Sequence, residues 1–207
     1  VFTDYKELLK LDEVDTVVVT AAWEAHIPVC IDAMLAGKAV ASEVGGAYSV
    51  EQCWDLVRTA EKTGMPCMML ENCCYGRDEL MVLNMVKKGL FGDIVHCEGG
   101  YQHDLRNEIA FGRENRHYRL RNYMNRNCEN YPTHELGPIA KVLNINRGNR
   151  MVSLTSTASC ARGLNEYLKR EKGEEYDITN FPFAQGDVVN TVIKCAHGQT
   201  IYLVLDT

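Results

Sequence analysis

Between residues 16 and 70 the chain alternates short apolar runs with amphipathic helical patterns, and that alternation leaves few folds open. Thr16-Val-Val-Val-Thr20 is a continuous β-branched run, Lys38-Ala-Val-Ala-Ser42 a second, and Cys67-Met-Met-Leu70 a third. Unbroken apolar runs of this length predict strands covered on both faces, as in parallel sheets. The segments between them read as helices. One follows Trp23 and stops at Gly37; the other opens on a Ser49/Gln52 capping box, continues through Trp54 and Val57, and closes at Gly64. Strand, crossover helix and parallel strand, repeated, make βαβ units with right-handed crossovers. Ligands of such sheets lie outside the carboxyl ends of the strands. That rule singles out three tips: Trp23-Glu24-Ala25-His26, Glu43-Val44, and Asn72.

No G-x-G-x-x-G turn occurs in the sequence, although a dinucleotide fold carries one after its first strand. The chain opens on Val-Phe-Thr-Asp and a short helical pattern over Asp4 to Leu11, and it ends directly after a strand-like run. Both ends are therefore expected to be cut. Residues 1–75 are expected to be the C-terminal half of a nucleotide-binding domain, and 76–207 a truncated substrate domain.

The second part has a different grammar. Leu80, Leu83 and Val86 describe a helix ending at Gly89; a strand is expected over Asp93 to Gly99 and a half-buried one over Met151 to Ala158. Val188 to Cys195 and Thr200 to Leu205, separated by Ala-His-Gly-Gln, form a hairpin. The predicted fold class is thus α/β: a partial Rossmann-like parallel sheet, then an α+β domain with an open mixed or antiparallel sheet. Residues 102–130 lack periodicity and carry six arginines, but Asp104, Glu108, Glu114 and Glu129 interrupt them. An internally paired working loop fits this better than a nucleic-acid patch.

At 207 residues the chain can bury a sizeable core, and a net charge of -6 disfavours nucleic acid or an anionic membrane as general partners. No apolar run is long enough to span a bilayer. The nine cysteines are odd in number, irregular in spacing and without a C-x-x-C pair, so they read as reduced core thiols. His96, His103 and Asp104 have no metal-ligand spacing, and no metal is expected.

Chemistry concentrates in Asn127-Cys-Glu-Asn-Tyr-Pro-Thr-His-Glu-Leu-Gly-Pro138, where a tyrosine, a histidine and an acid arrive at a loop-to-helix junction. Two helix starts fit: Thr133 as cap with Pro138 inside the helix, or Gly137 as cap with Pro138 at the first helical position. Either start places His134 near a helix N-terminus, which suits a neutral, proton-accepting imidazole.

This run, together with Gly100-Tyr-Gln-His-Asp-Leu-Arg106 and Asn115-Arg-His-Tyr-Arg-Leu-Arg-Asn122, resembles glycoside hydrolase family 109, the NAD-dependent α-N-acetylgalactosaminidases of the Gfo/Idh/MocA oxidoreductase superfamily. The resemblance covers nearly the whole chain. It implies that Trp23, Glu24, Ala25, His26, Glu43, Val44, Asn72 and Tyr131 bind NAD. Tyr101, Arg119, Tyr131, Pro132, Thr133 and His134 would bind an N-acetylgalactosamine-terminated glycan, with the C-terminal sheet offering a homodimer contact. Where many superfamily dehydrogenases have Glu-Lys-Pro, this chain has Glu43-Val44-Gly45, which agrees with the hydrolase branch. The implied reaction is a retaining one: oxidation of the sugar at C3, elimination across C2 and C1, water addition, and return of the hydride. Direct hydrolysis would need two flanking carboxyl groups, and no acid pair is evident. His134 and Tyr131 are the expected catalytic proton carriers, in either order. The alternatives are a sugar dehydrogenase of the same superfamily or a sugar-binding fragment, and this chain by itself is expected to bind NAD poorly and to be inactive.

Overall fold

The computed structural model describes residues 1–207, which divide into two units, Val1–Glu71 and Asn72–Thr207. The first unit runs α1 (Tyr5–Leu9), β1 (Thr16–Val19), α2 (Trp23–Leu35), β2 (Ala39–Ser42), α3 (Val50–Thr63) and β3 (Cys67–Met69). Its strands pair in parallel in the order β1-β2-β3. Ser49 caps α3 through its hydroxyl, which accepts from Gln52 N–H at 3.1 Å; the Gln52 amide accepts in turn from Tyr48 N–H at 2.6 Å. Gly64 closes the helix in the left-handed region. Val19, Cys30, Ala33, Met34 and Val40 form the core between α2 and the sheet.

The expectation that these strands are covered on both faces is corrected. Val18 is 61% exposed, and Met68 and Met69 are also exposed. Right-handed crossovers that step in one direction across a sheet put every helix on the same face. Within this unit the order β1-β2-β3 therefore covers Val17 and Val19 but not Val18.

The second unit begins with a 3₁₀ turn, Asn72–Cys74, and continues α4 (Arg77–Lys87), β4 (His96–Gln102), α5 (Arg106–Ala110), α6 (Arg119–Asn125), α7 (Thr133–Val142), β5 (Met151–Ala158), α8 (Gly163–Lys172), β6 (Val188–Cys195) and β7 (Thr200–Asp206). Its sheet is mixed, in the order β4-β7-β6-β5, with β4 parallel to β7 and the remaining pairs antiparallel. Ile139 and Leu143 of α7 pack on Ile193, Cys195, Ile201 and Leu203 of the sheet. A second core joins Ile109, Ala110, Leu120 and Tyr123 of α5 and α6 to Leu168, Ile178 and Phe183. No helix is long and apolar enough to cross a membrane.

Four expectations change here. β4 lies three residues later than Asp93 to Gly99, because Gly99 and Gly100 stand inside the strand and do not end it. A Cβ on Gly99 would meet Cβ of Glu135 at 2.6 Å, so glycine lets α7 sit down on β4. Residues 102–130 are not irregular throughout; α5 and α6 form because Ile109, Ala110, Leu120 and Tyr123 give each short helix a buried side. β5 is exposed along nearly its whole length, Leu154 by 64%. It is the edge strand farthest from β4, whereas α7 rests on the β4–β7 side. Finally, α7 starts with Thr133 inside the helix and Pro132 at the cap position, which departs from both expected starts.

Candidate active site

Tyr101 is the penultimate residue of β4 and is 8% exposed. Side chains alternate along a strand, so it shares a face with Gly99, the face on which α7 lies. α7 carries His134 in its first turn, and Tyr131 stands two residues before the helix. The Tyr101 ring centre is 4.8 Å from that of Tyr131 and 5.6 Å from that of His134. Tyr131 and His134 meet edge to face, 4.7 Å apart at 87°. Arg119, the first residue of α6, lays its guanidinium 5.1 Å from the Tyr131 ring centre and directs Nη2 to the Tyr101 hydroxyl at 3.5 Å. The structure thus gathers Tyr101, Arg119, Tyr131 and His134, and Pro132 and Thr133 form the turn between the last two.

Local chemistry explains why these side chains stay there. Arg119 N–H donates to Nδ1 of His117 at 3.3 Å, so that ring acts as an acceptor at the start of α6. Burial, reinforced by the Arg119 charge, holds the His117 pKa below its ordinary value and favours the neutral acceptor. Arg106 is engaged by Asp104 in a two-pronged ion pair at 2.7 Å and 2.7 Å, which draws the Asp104 pKa down to about 2. The arginine that faces the aromatic cluster is therefore Arg119. Pro138 inside α7 lacks the N–H that would bond the His134 carbonyl, so the helix bond at His134 is missing.

An acid pair that the sequence did not reveal lies behind this turn. Glu129 and Glu135 both have carboxyl oxygens shut from solvent. Burial first, and the Glu135 charge second, push the Glu129 pKa up to about 7, against a lowering by the Tyr131 backbone N–H. A six-residue spacing across a loop-to-helix junction matches neither helix nor strand periodicity, so no pattern announced it. Carboxyl groups that hydrolyse a glycoside directly must flank an open cleft, which these buried groups do not do.

In the first unit, the tips of β1 and β2 meet. Gly45 and Gly46, with φ of 95° and 107°, bring their backbone against two rings. A Cβ on Gly45 would overlap the Trp23 indole, and one on Gly46 the His26 imidazole. His26 is 1% exposed, with Nε2 2.8 Å from the Ala21 carbonyl and Nδ1 3.4 Å from that of Gly45. It ties the two tips together. Val44 and Trp23 are buried, Ala25 packs on the core, and Glu24 has one carboxyl oxygen shut from solvent. Glu43 is exposed at the end of β2, where its Oε2 accepts from the Val44 N–H at 3.3 Å. A glycine-lined turn with an exposed carboxylate at parallel strand tips suits a dinucleotide, with His26 and Val44 supporting it from behind. Asn72 opens the second unit and is exposed, its Nδ2 4.0 Å from Cys73 Sγ.

Residues 75–207 match the family described as glycosyl hydrolase 109, C-terminal domain, and residues 1–71 the oxidoreductase family with an NAD-binding Rossmann fold. An alpha-N-acetylgalactosaminidase from Tannerella forsythia is 40% identical over 225 residues, covering 99% of this chain and 48% of its own length. One from Shewanella oneidensis is 43% identical over 204 residues, covering 98% and 44%. The chain spans about half the length of the curated relatives it matches. Among solved structures, scyllo-inositol dehydrogenase from Lactobacillus casei with bound NAD(H) and scyllo-inositol has a TM-score of 0.70 at 13% identity, covering 100% of this chain and 55% of that one. An NAD binding oxidoreductase from Klebsiella pneumoniae reaches 0.72 at 18%, covering 99% and 50%. At such identities the likeness establishes the fold.

Proposed function

Because this chain belongs to the glycosyl hydrolase 109 family, we propose that it forms the sugar-handling core of an enzyme that releases terminal α-N-acetylgalactosamine with retention, using NAD as a hydride store. One observation carries the reading: Tyr101, Arg119, Tyr131 and His134 come from three helices or strands and one loop, yet converge on one face of the second unit. NAD, when bound, supplies a reversible acceptor for the hydride at the sugar C3, which makes the C2 proton acidic. Trp23, Glu24, Ala25, His26, Glu43, Val44, Asn72 and Tyr131 are the residues that would hold it.

The chain's own groups then handle protons and charge. Of Tyr131 and His134, one takes the C3 hydroxyl proton and the other the C2 proton, so that the C1–O bond breaks and the aglycone leaves with a proton; water then adds at C1 as a proton returns to C2, and the C3 oxygen regains its proton when C3 is reduced again. Tyr101, with Pro132 and Thr133 shaping the turn, fixes the sugar against the aromatic faces. Arg119 supplies a fixed positive charge for the oxygen on C3, which gathers negative charge while C2 is deprotonated. The runner-up, a simple sugar dehydrogenase, is weaker because the position after Glu43 carries a buried valine, which moves no proton.

The full-length protein is expected to release nitrophenol from p-nitrophenyl α-N-acetylgalactosaminide without net NADH. Stoichiometric NADH with no glycoside cleavage would establish the dehydrogenase instead.

A further inference from the structure

The loop that delivers Tyr131 has no strand or helix of its own between Arg126 and Pro132, so something else must fix it. A long polar side chain, Gln185, lies 2% exposed in the segment Phe181-Pro-Phe-Ala-Gln-Gly-Asp187. Burying it costs rotamer entropy and desolvation, which hydrogen bonds must offset. Its Oε1 accepts from Asn130 Nδ2 at 2.6 Å and from Cys128 N–H at 3.1 Å, while Nε2 donates to the Gly186 carbonyl at 3.3 Å. Next to it, Gly186 N–H donates to Asn127 Oδ1 at 3.2 Å. Three of the four residues before Tyr131 are therefore tied to two consecutive residues far along the chain.

The same two residues are themselves anchored. Gln185 N–H donates to the Tyr123 carbonyl at 3.1 Å, inside α6, the helix that begins with Arg119. A Cβ on Gly186 would run into the Ser159 carbonyl, so the backbone is pressed against the end of β5 with no room to slide. Asp187 accepts from Arg162 N–H and Gly163 N–H, both at 2.9 Å, at the start of α8.

We propose that Gln185 is a positioning residue, tying α6 to the Asn127–Asn130 loop and thereby setting the approach of Arg119 to the Tyr131 ring. Its catalytic consequence rests on the glycosidase reading; the clamp itself does not. Gln185→Met keeps the length of the side chain and removes its polar atoms, leaving Cys128 N–H and Asn130 Nδ2 without their acceptor. Gln185→Glu keeps the acceptor and, measured near pH 5 where so buried a carboxyl holds its proton, also a donor to the Gly186 carbonyl.

Amide hydrogen exchange read by mass spectrometry tests the clamp directly. Gln185→Met is expected to speed exchange in residues 127–134 by about tenfold or more while β6 and β7 stay protected. Gln185→Glu is expected to restore that protection. In the full-length enzyme, Gln185→Met should lower kcat by about a hundredfold with KM nearly unchanged, since misplacement by about 1 Å has that cost. Unchanged exchange in 127–134, a uniform rise across β6 and β7, or a Gln185→Glu variant that behaves like Gln185→Met would overturn the proposal. Local loosening in Gln185→Met, alongside a full-length wild type that cleaves no glycoside, would instead sink the glycosidase reading and leave the clamp standing.

Discussion

Arg119 reaches two aromatic partners at once, and that double reach depends on a planar head group. Its guanidinium stacks 5.1 Å from the Tyr131 ring centre while Nη2 points to the Tyr101 hydroxyl. A lysine ammonium is a point charge and cannot do both. Arg119→Lys is therefore expected to cut kcat/KM of the full-length enzyme by about ten- to a hundredfold, an amount that corresponds to about 1.4–2.7 kcal/mol of transition-state stabilisation. Wild-type kinetics in that variant would remove Arg119 from the site. Glu129 gives a prediction about pH. Its folded pKa of about 7 lies above the ordinary carboxylate value of 4.5, so the folded state keeps a proton that the unfolded chain has released. Stability is full below about pH 4.5 and declines as pH rises through about 7, by on the order of 2 kcal/mol after allowance for partial solvation. Glu129→Gln should flatten that decline and raise the urea midpoint at pH 8, with little change at pH 4.5. An equal effect at both pH values would contradict the assignment. Tyr101, Arg119, Tyr131 and His134 were named beforehand by resemblance, but the Glu129–Glu135 pair and the Gln185 clamp were not, because they depend on neighbours six and fifty-five residues apart that no periodicity links.

Among the elements, local grammar proved legible where the signal was itself local. The Ser49 cap, the Gly64 stop and the β6–β7 turn at Gly198 all stand where turn and capping chemistry puts them. What the pattern misjudged was burial. Val18 sits in an apolar run yet faces outward, and β5 alternates yet is bare on both sides, because cover is supplied by neighbouring layers and not by the strand's own residues. Gly99 misled for the opposite reason. It reads as a breaker, but its missing Cβ is what allows α7 to approach β4 and bring His134 towards Tyr101. Gly99→Ala is expected to cost about 1–3 kcal/mol in urea unfolding, the usual range for overpacking. It should also loosen the Tyr101–His134 approach, seen as altered ring resonances in NMR spectra. A variant as stable as the wild type would mean that the α7–β4 contact yields without cost.

At the level of the whole molecule, the proposed function gives each unit its own task. Val1–Glu71 carries parallel strand tips that suit a dinucleotide, and Asn72–Thr207 carries the aromatic and arginine cluster suited to a sugar. In the proposed reaction the sugar's C2–H bond is broken and remade during hydrolysis, with Tyr131 and His134 as the proton carriers. A hydrolase that works through two flanking carboxyl groups leaves that bond untouched. The most direct measurement is hydrolysis of p-nitrophenyl α-N-acetylgalactosaminide by the full-length protein in D₂O, with the released sugar examined by NMR. Deuterium at C2 of the product is expected; protium retained there would rule out this mechanism.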